Sequence, residues 1–508
     1  MPCWRKALCK SDSPDFKMWK GRLKTLNRGF QTTFFYSLRA NFLLQSVHYH
    51  LLGAIMLSRY VFLSACLLSC ATFAQTLSQT LPNGLKIIVK EDHRAPVAVS
   101  QIWYKVGSVD EKPGKSGLSH ALEHMMFKGT PSVPSGEYSS RIARLGGNDN
   151  AYTNRNETVY YANIASANLP EVLKLEADRM HNLNFSDKEF ATEMNVIREE
   201  RRQRTEDDAG GKMWEQIYLN SFTLPSMKAS IIGYMEDLHT LRADDLRAWY
   251  KQFYAPNNAV LVIVGDVDAK QTLRTAAGLF GKIPRKSLPE RNNLKAEPVK
   301  RAPSFAQASS PVTRQPLAAI SWRVPSLSRL DDKLPYALDV LTDVLAGNTS
   351  SRLDKNLVRG KQSALSANAH YDLLSREMPL FGVFGMPAEN VSAETLLTQM
   401  KSEIKDIADN GISKEELDRI KAQALAGEIY ARDSMVSQAS LIGRLEARGF
   451  KYSDEAAIRR RIQAVTTEEV QKAAQMLTDD RSSTVIIMPE TATPAPVDYT
   501  ALKKPEKQ

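Results

Sequence analysis

The chain repeats itself. Residues 241–265 align one for one with residues 465–489, so that Leu241-Arg-Ala-Asp-Asp-Leu246 faces Val465-Thr-Thr-Glu-Glu-Val470 and Leu261–Val264 faces Val485–Met488. Trp103-Tyr-Lys-Val-Gly-Ser108 resembles Trp322-Arg-Val-Pro-Ser326, Gly129 pairs with Gly347, and Ser186-Asp-Lys-Glu-Phe190 pairs with Ser413-Lys-Glu-Glu-Leu417. The spacing drifts by a few residues along the series, as two copies of one fold with small insertions would make it. The alternative is two segments that share only generic patterning. A chain of 508 residues calls for at least two domains. Within the first copy, a turn and a strand are expected over Leu81–Lys90, strands at Val97–Val106, Ala151–Ile164 and Ala259–Val264, and helices at Leu169–Leu183, Lys188–Arg204 and Leu241–Phe253. That mixture is an α+β domain, used twice.

One stretch of the first copy carries a polar motif that its counterpart in the second lacks. Gly117-Leu-Ser-His-Ala-Leu-Glu-His-Met-Met-Phe-Lys-Gly129 holds His120, Glu123 and His124 in the order H-x-x-E-H. On a helix His124 lies about 40° from His120 and Glu123 about 60° to the other side. One face then carries two imidazoles a turn apart, which can hold a zinc ion, with a carboxylate beside them that can accept a proton. A helix with two satisfied histidines is the plainer reading. A catalytic zinc site needs a third protein ligand from another element and keeps one position open.

The best source for that ligand is Phe190-Ala-Thr-Glu-Met-Asn-Val-Ile-Arg-Glu-Glu200, where Phe190, Met194 and Ile197 form an apolar helical stripe. Glu193 and Glu200 share the edge of that stripe, about 20° apart, whereas Glu199 points to solvent. On their own, Glu199, Glu200, Arg201, Arg202 and Arg204 would read as a solvated charge run. In the second copy His120, Glu123 and His124 map to Leu338, Leu341 and Thr342, and Glu193 and Glu200 map to Ile420 and Gly427. Residues needed only for folding should recur in both copies; these do not, which points to function.

H-x-x-E-H, with Glu193, Val196, Ile197 and Glu200 matching the later pattern E-x-x-V-I-x-x-E, resembles the pitrilysin/insulinase family of zinc peptidases, the M16 type. That family includes the mitochondrial processing peptidase, with its beta subunit, and bacterial periplasmic homologues. The resemblance runs from about Leu81 to Pro489. It implies two homologous domains of the processing-peptidase-like metallohydrolase fold, each an antiparallel-rich sheet packed with helices, enclosing a chamber. It implies one Zn²⁺ per chain on His120, His124 and Glu200, Glu123 as general base, and Glu193 as the carboxylate that orients the site. Asn150-Ala-Tyr-Thr153 matches the family's exposed edge strand, so Asn150 and Ala151 are expected to bind a peptide as an added strand. Active members often carry an Arg and, seven residues on, a Tyr in the C-terminal half. Here Val358 and Leu365 stand at those positions; Arg359 and Tyr371 lie nearby but twelve residues apart. The resemblance therefore leaves open a homologous subunit that supplies the Arg and Tyr, or a chain that stabilises the oxyanion by other groups, such as zinc itself, and acts alone or as a homodimer.

Charge and cysteine bear on where such an enzyme works. Nine of the 67 Lys/Arg and two of the 57 Asp/Glu fall in residues 1–55, and Arg59 precedes Gln75, so the chain from Gln75 on is nearly neutral. Nothing there calls for nucleic acid as a partner. Met56–Ala74 reads as a secretory signal: Arg59, an apolar stretch from Tyr60, and small residues near Ala74. Residues 1–55 then read as an upstream extension, an idea that N-terminal sequencing would refute by finding earlier residues in the mature protein. The competing readings are a signal anchor over residues 51–74, a lipoprotein box at Leu63-Ser-Ala-Cys66 or Leu67-Leu-Ser-Cys70, and a basic mitochondrial presequence. All four cysteines, Cys3, Cys9, Cys66 and Cys70, precede Gln75, so the body of the chain can form no disulfide.

The expected organisation is an extension over 1–55, a signal over 56–74, a peptidase domain over 75–283, a linker over 284–316, a metal-free domain over 317–490 and a flexible tail over 491–508. The expected protein is exported to the periplasm and hydrolyses peptides or unfolded segments. A non-catalytic scaffold subunit and a zinc hydrolase of non-peptide amides are the rival readings.

Overall fold

The computed structural model describes residues 75–490, so the expectations for residues 1–74 and 491–508 lie outside the described residues. Two mixed sheets organise the chain. The first contains β1 (Thr76–Thr80), β2 (Lys86–Glu91), β3 (Val97–Tyr104), β4 (Asn148–Thr153), β5 (Thr158–Ala165) and β6 (Ala259–Gly265), in the order β1-β2-β6-β3-β5-β4. The second contains β7 (Ser304–Ser310), β8 (Leu317–Arg323), β9 (Ala364–His370), β10 (Leu380–Pro387) and β11 (Ser482–Pro489), in the order β7-β11-β8-β10-β9. Each sheet has a single parallel pair, β2 with β6 and β7 with β11, and is otherwise antiparallel. Strands β2, β6, β3, β5 and β4 correspond in order to β7, β11, β8, β10 and β9. The repeat read from the sequence is thus a repeat of topology, with β1 as an addition to the first copy.

The helices repeat too. In the first half the argument needs α1 (Leu118–Met125), α2 (Asp187–Arg201), α3 (Ala209–Ser221) and α4 (Ala243–Phe253). In the second it needs α5 (Lys333–Ala346), α6 (Lys414–Ala431), α7 (Met435–Ala447) and α8 (Thr467–Gln475). Both Ser186 and Ser413 serve as N-caps, accepting from the Glu189 and Glu416 amides, so the matched serines start matched helices α2 and α6. Helix α4 with β6 matches α8 with β11. On α5, Leu338 and Leu341 are fully buried, and on α6 so is Ile420. The second copy thus has core aliphatics where the first has His120, Glu123 and Glu193, and Thr342 and Gly427 where it has His124 and Glu200.

Each half lends a helix to the other's sheet. Helix α7, from the C-terminal half, sets Met435, Ala439 and Ile442 against Ile88, Val99, Trp103, Val159 and Val262. Helix α3, from the N-terminal half, sets Met213 and Ile217 against Ala319, Leu380, Val485 and Ile487. Burying an aliphatic side chain of this size is worth about 1.5–3 kcal/mol, so the exchange binds the halves through apolar contact. It demands a close approach at Gly443, where a Cβ would fall 2.1 Å from the Trp103 ring.

Three expectations need correction. The linker over 284–316 is interrupted by β7, which pairs with β11 along its whole length. Its half-buried positions are small (Ser304, Ala306, Ala308) and Phe305 points outward, so no apolar alternation marks it. The single strand expected over Ala151–Ile164 is a hairpin, β4 and β5, turning at Asn154–Glu157. There Asn154 Oδ1 accepts from the Asn156 and Glu157 amides at 2.7 and 2.9 Å. The helix expected to reach Arg204 ends as α-helix at Arg201 and continues as a wider π turn over Arg202–Glu206.

Candidate active site

Helix α1 begins without a capping side chain of its own. Gly117 enters it at φ 88°, and a Cβ there would meet the Ile232 carbonyl oxygen at 2.7 Å, so both backbone and space require glycine. The free amides are taken by Glu111, whose carboxylate accepts from Gly117 N at 2.8 Å and Ser119 N at 2.7 Å. Leu118, Ala121, Leu122 and Met125 anchor α1 in the core, which leaves His120, Glu123 and His124 on its remaining face.

Helix α2 crosses that face. Its stripe of Met194 and Ile197 is buried, with Phe190 packed beside it, and Glu193 and Glu200 stand at the margin. Glu200 Oε2 lies 3.6 Å from His120 Nε2 and 3.4 Å from His124 Nε2. Donor atoms of His120, His124 and Glu200 all fall within 4.8 Å of one another. Tetrahedral ligands about 2.0–2.2 Å from a zinc ion sit roughly 3.3–3.6 Å apart, the spacing of Glu200 Oε2 from each imidazole. Glu200 Oε2 is moreover buried without a hydrogen-bond partner, while Oε1 pairs with Arg204 at 2.9 Å. An orphaned carboxylate oxygen between two imidazole nitrogens suits a cation.

Glu193 Oε1 lies 2.8 Å from His124 Nδ1, and its other oxygen lies 2.5 Å from Lys128 Nζ. A proton on Nδ1 donated to Glu193 leaves Nε2 with its lone pair toward the site. Glu199, by contrast, is exposed and pairs with Arg202 and Gln203, as the helical angles require. Glu123 is buried beside the His pair, and its Oε2 accepts from Thr153 Oγ1 at 2.6 Å.

The local electrostatics ask for positive charge. Burial, reinforced by His124, pushes His120 down to about 3, so it is a neutral imidazole at neutral pH. Burial opposes charge on His124 as well, but the hydrogen bond to Glu193 and the nearby Glu200 carboxylate prevail and raise it to about 9. The same bond from His124, with Lys128, draws Glu193 down to about 2. Burial works against ionisation of Glu200, yet His124, His120 and Arg204 hold it below the usual range. A metal ion bound here would displace the His124 proton and meet the pull of both carboxylates. Burial raises Glu123 against the Thr153 hydrogen bond, as suits a group that must take up a proton.

Asn150 and Ala151 are not among the converging atoms; they lie on β4, the last strand of its sheet, which packs against α1. The outer side of β4 has no neighbouring strand among the described residues, and Ala151 N is met by Asn150 Oδ1 at 2.8 Å. In the C-terminal half, Arg359 is held by Asp354 at 2.7 Å and by the Thr349 carbonyl; the Tyr371 hydroxyl donates to the Pro325 carbonyl at 2.6 Å. Leu365 is exposed on β9. Reading the sequence overlooked Glu111, Lys128 and the link from Thr153 to Glu123. No local pattern marked any of the three, since each acts through a contact that only packing brings together.

Comparison with known proteins points to one family. A family model described as insulinase (peptidase family M16) matches residues 86–228, and one described as the peptidase M16 inactive domain matches residues 240–424. The chain is 31% identical to a zinc protease, PqqE, of Helicobacter pylori over 72% of its own length and 82% of that protein. It is 27% identical to an uncharacterized zinc protease of Streptomyces coelicolor over 81% of its length and 89% of that protein. The crystal structure of a protease from Helicobacter pylori superposes with a TM-score of 0.78 at 27% identity, covering 82% of this chain and all of that one.

Proposed function

The chain belongs to peptidase family M16, the insulinase family, and from that premise we propose that it is a zinc-dependent metalloendopeptidase acting on peptides and unfolded polypeptide segments. The observation that carries the reading is the convergence of His120, His124 and Glu200, with Glu123 beside them on the same helix. His120 and His124 through Nε2 and Glu200 through Oε2 would hold the ion, and Glu193 would keep His124 in the ligand tautomer. Bound there, zinc supplies Lewis acidity toward the hydrolytic water and the scissile carbonyl. Glu123, with one oxygen held by Thr153, accepts the water's proton on the other and returns it to the leaving amine. The open edge of β4 suits an extended peptide laid down as a further strand, with Asn150 and Ala151 as its first contacts.

The test is digestion of a peptide library by zinc-loaded protein, with a chelator as control. Cleavage that stops on chelation and returns with zinc is expected; zinc binding without cleavage of any peptide would point to a scaffold subunit instead. The ligand set makes a sharper prediction. Glu200→Gln should weaken zinc binding more than Glu199→Gln does, because only Glu200 reaches the two imidazoles. A titration giving the reverse order would remove Glu200 from the set.

We propose export to the periplasm on the strength of residues 56–74. The partner is a second chain, either a homologous subunit or another copy. Arg359 and Tyr371 are engaged within their own half, which favours an outside source for groups that bind the developing oxyanion. Full peptidase activity from the isolated monomer, unchanged by any co-purifying homologue, would end the two-chain idea.

A further inference from the structure

The β4–β5 hairpin touches two parts of the molecule at once. Its first strand ends in Thr153, whose hydroxyl holds Glu123. Its turn is fastened to the C-terminal half. Arg155 Nε donates to Glu377 Oε1 at 2.8 Å, while its two terminal nitrogens donate to the carbonyls of Ala229 at 3.1 Å and Met227 at 2.6 Å. The same guanidinium lies 4.1 Å over the Tyr218 ring. Two residues on, Glu157 pairs with Arg448 at 2.5 Å, and Arg448 Nε donates to the Leu374 carbonyl. Glu377 lies between β9 and β10, and Arg448 directly follows α7. The four side chains are only 8%, 3%, 3% and 4% exposed for Arg155, Glu377, Glu157 and Arg448.

Apolar contacts between the halves would bind them without any buried charge. Ions taken out of water gain little net stability from pairing, but they tolerate almost no displacement, because a partner moved away leaves a bare charge in the interior. Two such pairs, flanking Asn156 in one turn, fix that turn in place and with it the strand that ends two residues before Arg155. The ligand-bearing helices α1 and α2 carry no member of either pair.

We propose that Thr153 is a positioning residue for Glu123, and that the metal-free C-terminal half acts on the site by clamping the β4–β5 hairpin through Glu377 and Arg448. The inference rests on the hydrolase reading for its kinetic part. A role in joining the halves alone would cost stability and zinc occupancy together. A positioning role changes the kinetics of protein that is folded and fully loaded.

The full chain is assayed with zinc bound, on an unstructured fluorogenic peptide. Thr153→Val should lower kcat by about 10- to 100-fold, with zinc content unchanged and KM within about twofold, and Thr153→Ser should restore most of the rate. Glu377→Gln should lower kcat and raise KM together, since the hairpin carries both Thr153 and the peptide edge. Amide exchange over residues 148–158 should quicken by about tenfold or more while residues 118–125 keep their protection. If Glu377→Gln fails to fold, the paired Arg155→Met, Glu377→Met variant removes both charges and takes the same measurements. Wild-type kcat in Thr153→Val overturns the role of Thr153. Wild-type kinetics and exchange in a folded Glu377 variant overturn the clamp. A wild-type protein that binds zinc and cleaves nothing overturns the hydrolase reading, and the exchange comparison still decides the clamp.

Discussion

Glu123→Gln is expected to bind zinc as the wild-type chain does and to hydrolyse peptide at least about 100-fold more slowly. The two halves of that outcome have separate causes. The three atoms that converge belong to His120, His124 and Glu200, so the coordinating set is intact in the variant. Glutamine matches the shape of glutamate and still accepts a hydrogen bond from Thr153 Oγ1 through its carbonyl. What it lacks is a carboxylate that can take a proton from water and give it up again. Proton transfer by a placed side chain is typically worth about 10²- to 10⁴-fold, which sets the size of the loss. Measuring zinc content and hydrolysis on one preparation checks both parts. An active Glu123→Gln enzyme would remove Glu123 from the role of base.

The second large effect comes from the ligands. His120→Ala and His124→Ala should each lose zinc, from about one ion per chain to a small fraction of that, and lose hydrolysis with it. Either change leaves Glu200 Oε2 with a single imidazole, too few donors for a site of this kind. His124→Ala also strips Glu193 of its imidazole partner and leaves it to Lys128. The fold should survive both. The faces of α1 that pack into the core are those of Leu118, Ala121, Leu122 and Met125, and the equivalent helix α5 folds with Leu338 and Thr342 at the histidine positions. Two variants that keep wild-type activity would place the chemistry elsewhere in the molecule.

Much of this was legible before any coordinates, and for local reasons. The turn of a helix carries His120 and His124 to one side whatever surrounds it, and the same arithmetic separates Glu200 from Glu199. The repeat paired Ser186-Asp-Lys-Glu-Phe190 with Ser413-Lys-Glu-Glu-Leu417, and the structure makes each serine the N-cap of its helix, a local arrangement of a hydroxyl before unpaired amides. The buried strand β6 declares itself as an unbroken aliphatic run. Comparing the two copies separated polar residues kept for chemistry from those kept for folding, since Leu338, Leu341 and Ile420 show what the same positions become when only a core is needed. Strand β7 escaped notice because its inward positions are serine and alanine, too small to leave an apolar signature.

The sequence by itself therefore determined the two-copy architecture, the helix faces and the pairing of the His helix with Glu193 and Glu200, which follow from period and spacing; the choice of Glu200 as the ligand came from the family resemblance. Only the tertiary structure decided that Glu200 meets both imidazoles while Glu193 takes His124 from the far side, and that Glu111 caps α1. It alone decided that α3 and α7 change places between the sheets, and that Arg155 and Glu157 reach Glu377 and Arg448 across the chain. Contacts of that kind join residues far apart in sequence. They are set by how whole elements pack and by the need to pair each buried charge, and neither condition leaves a local pattern to read.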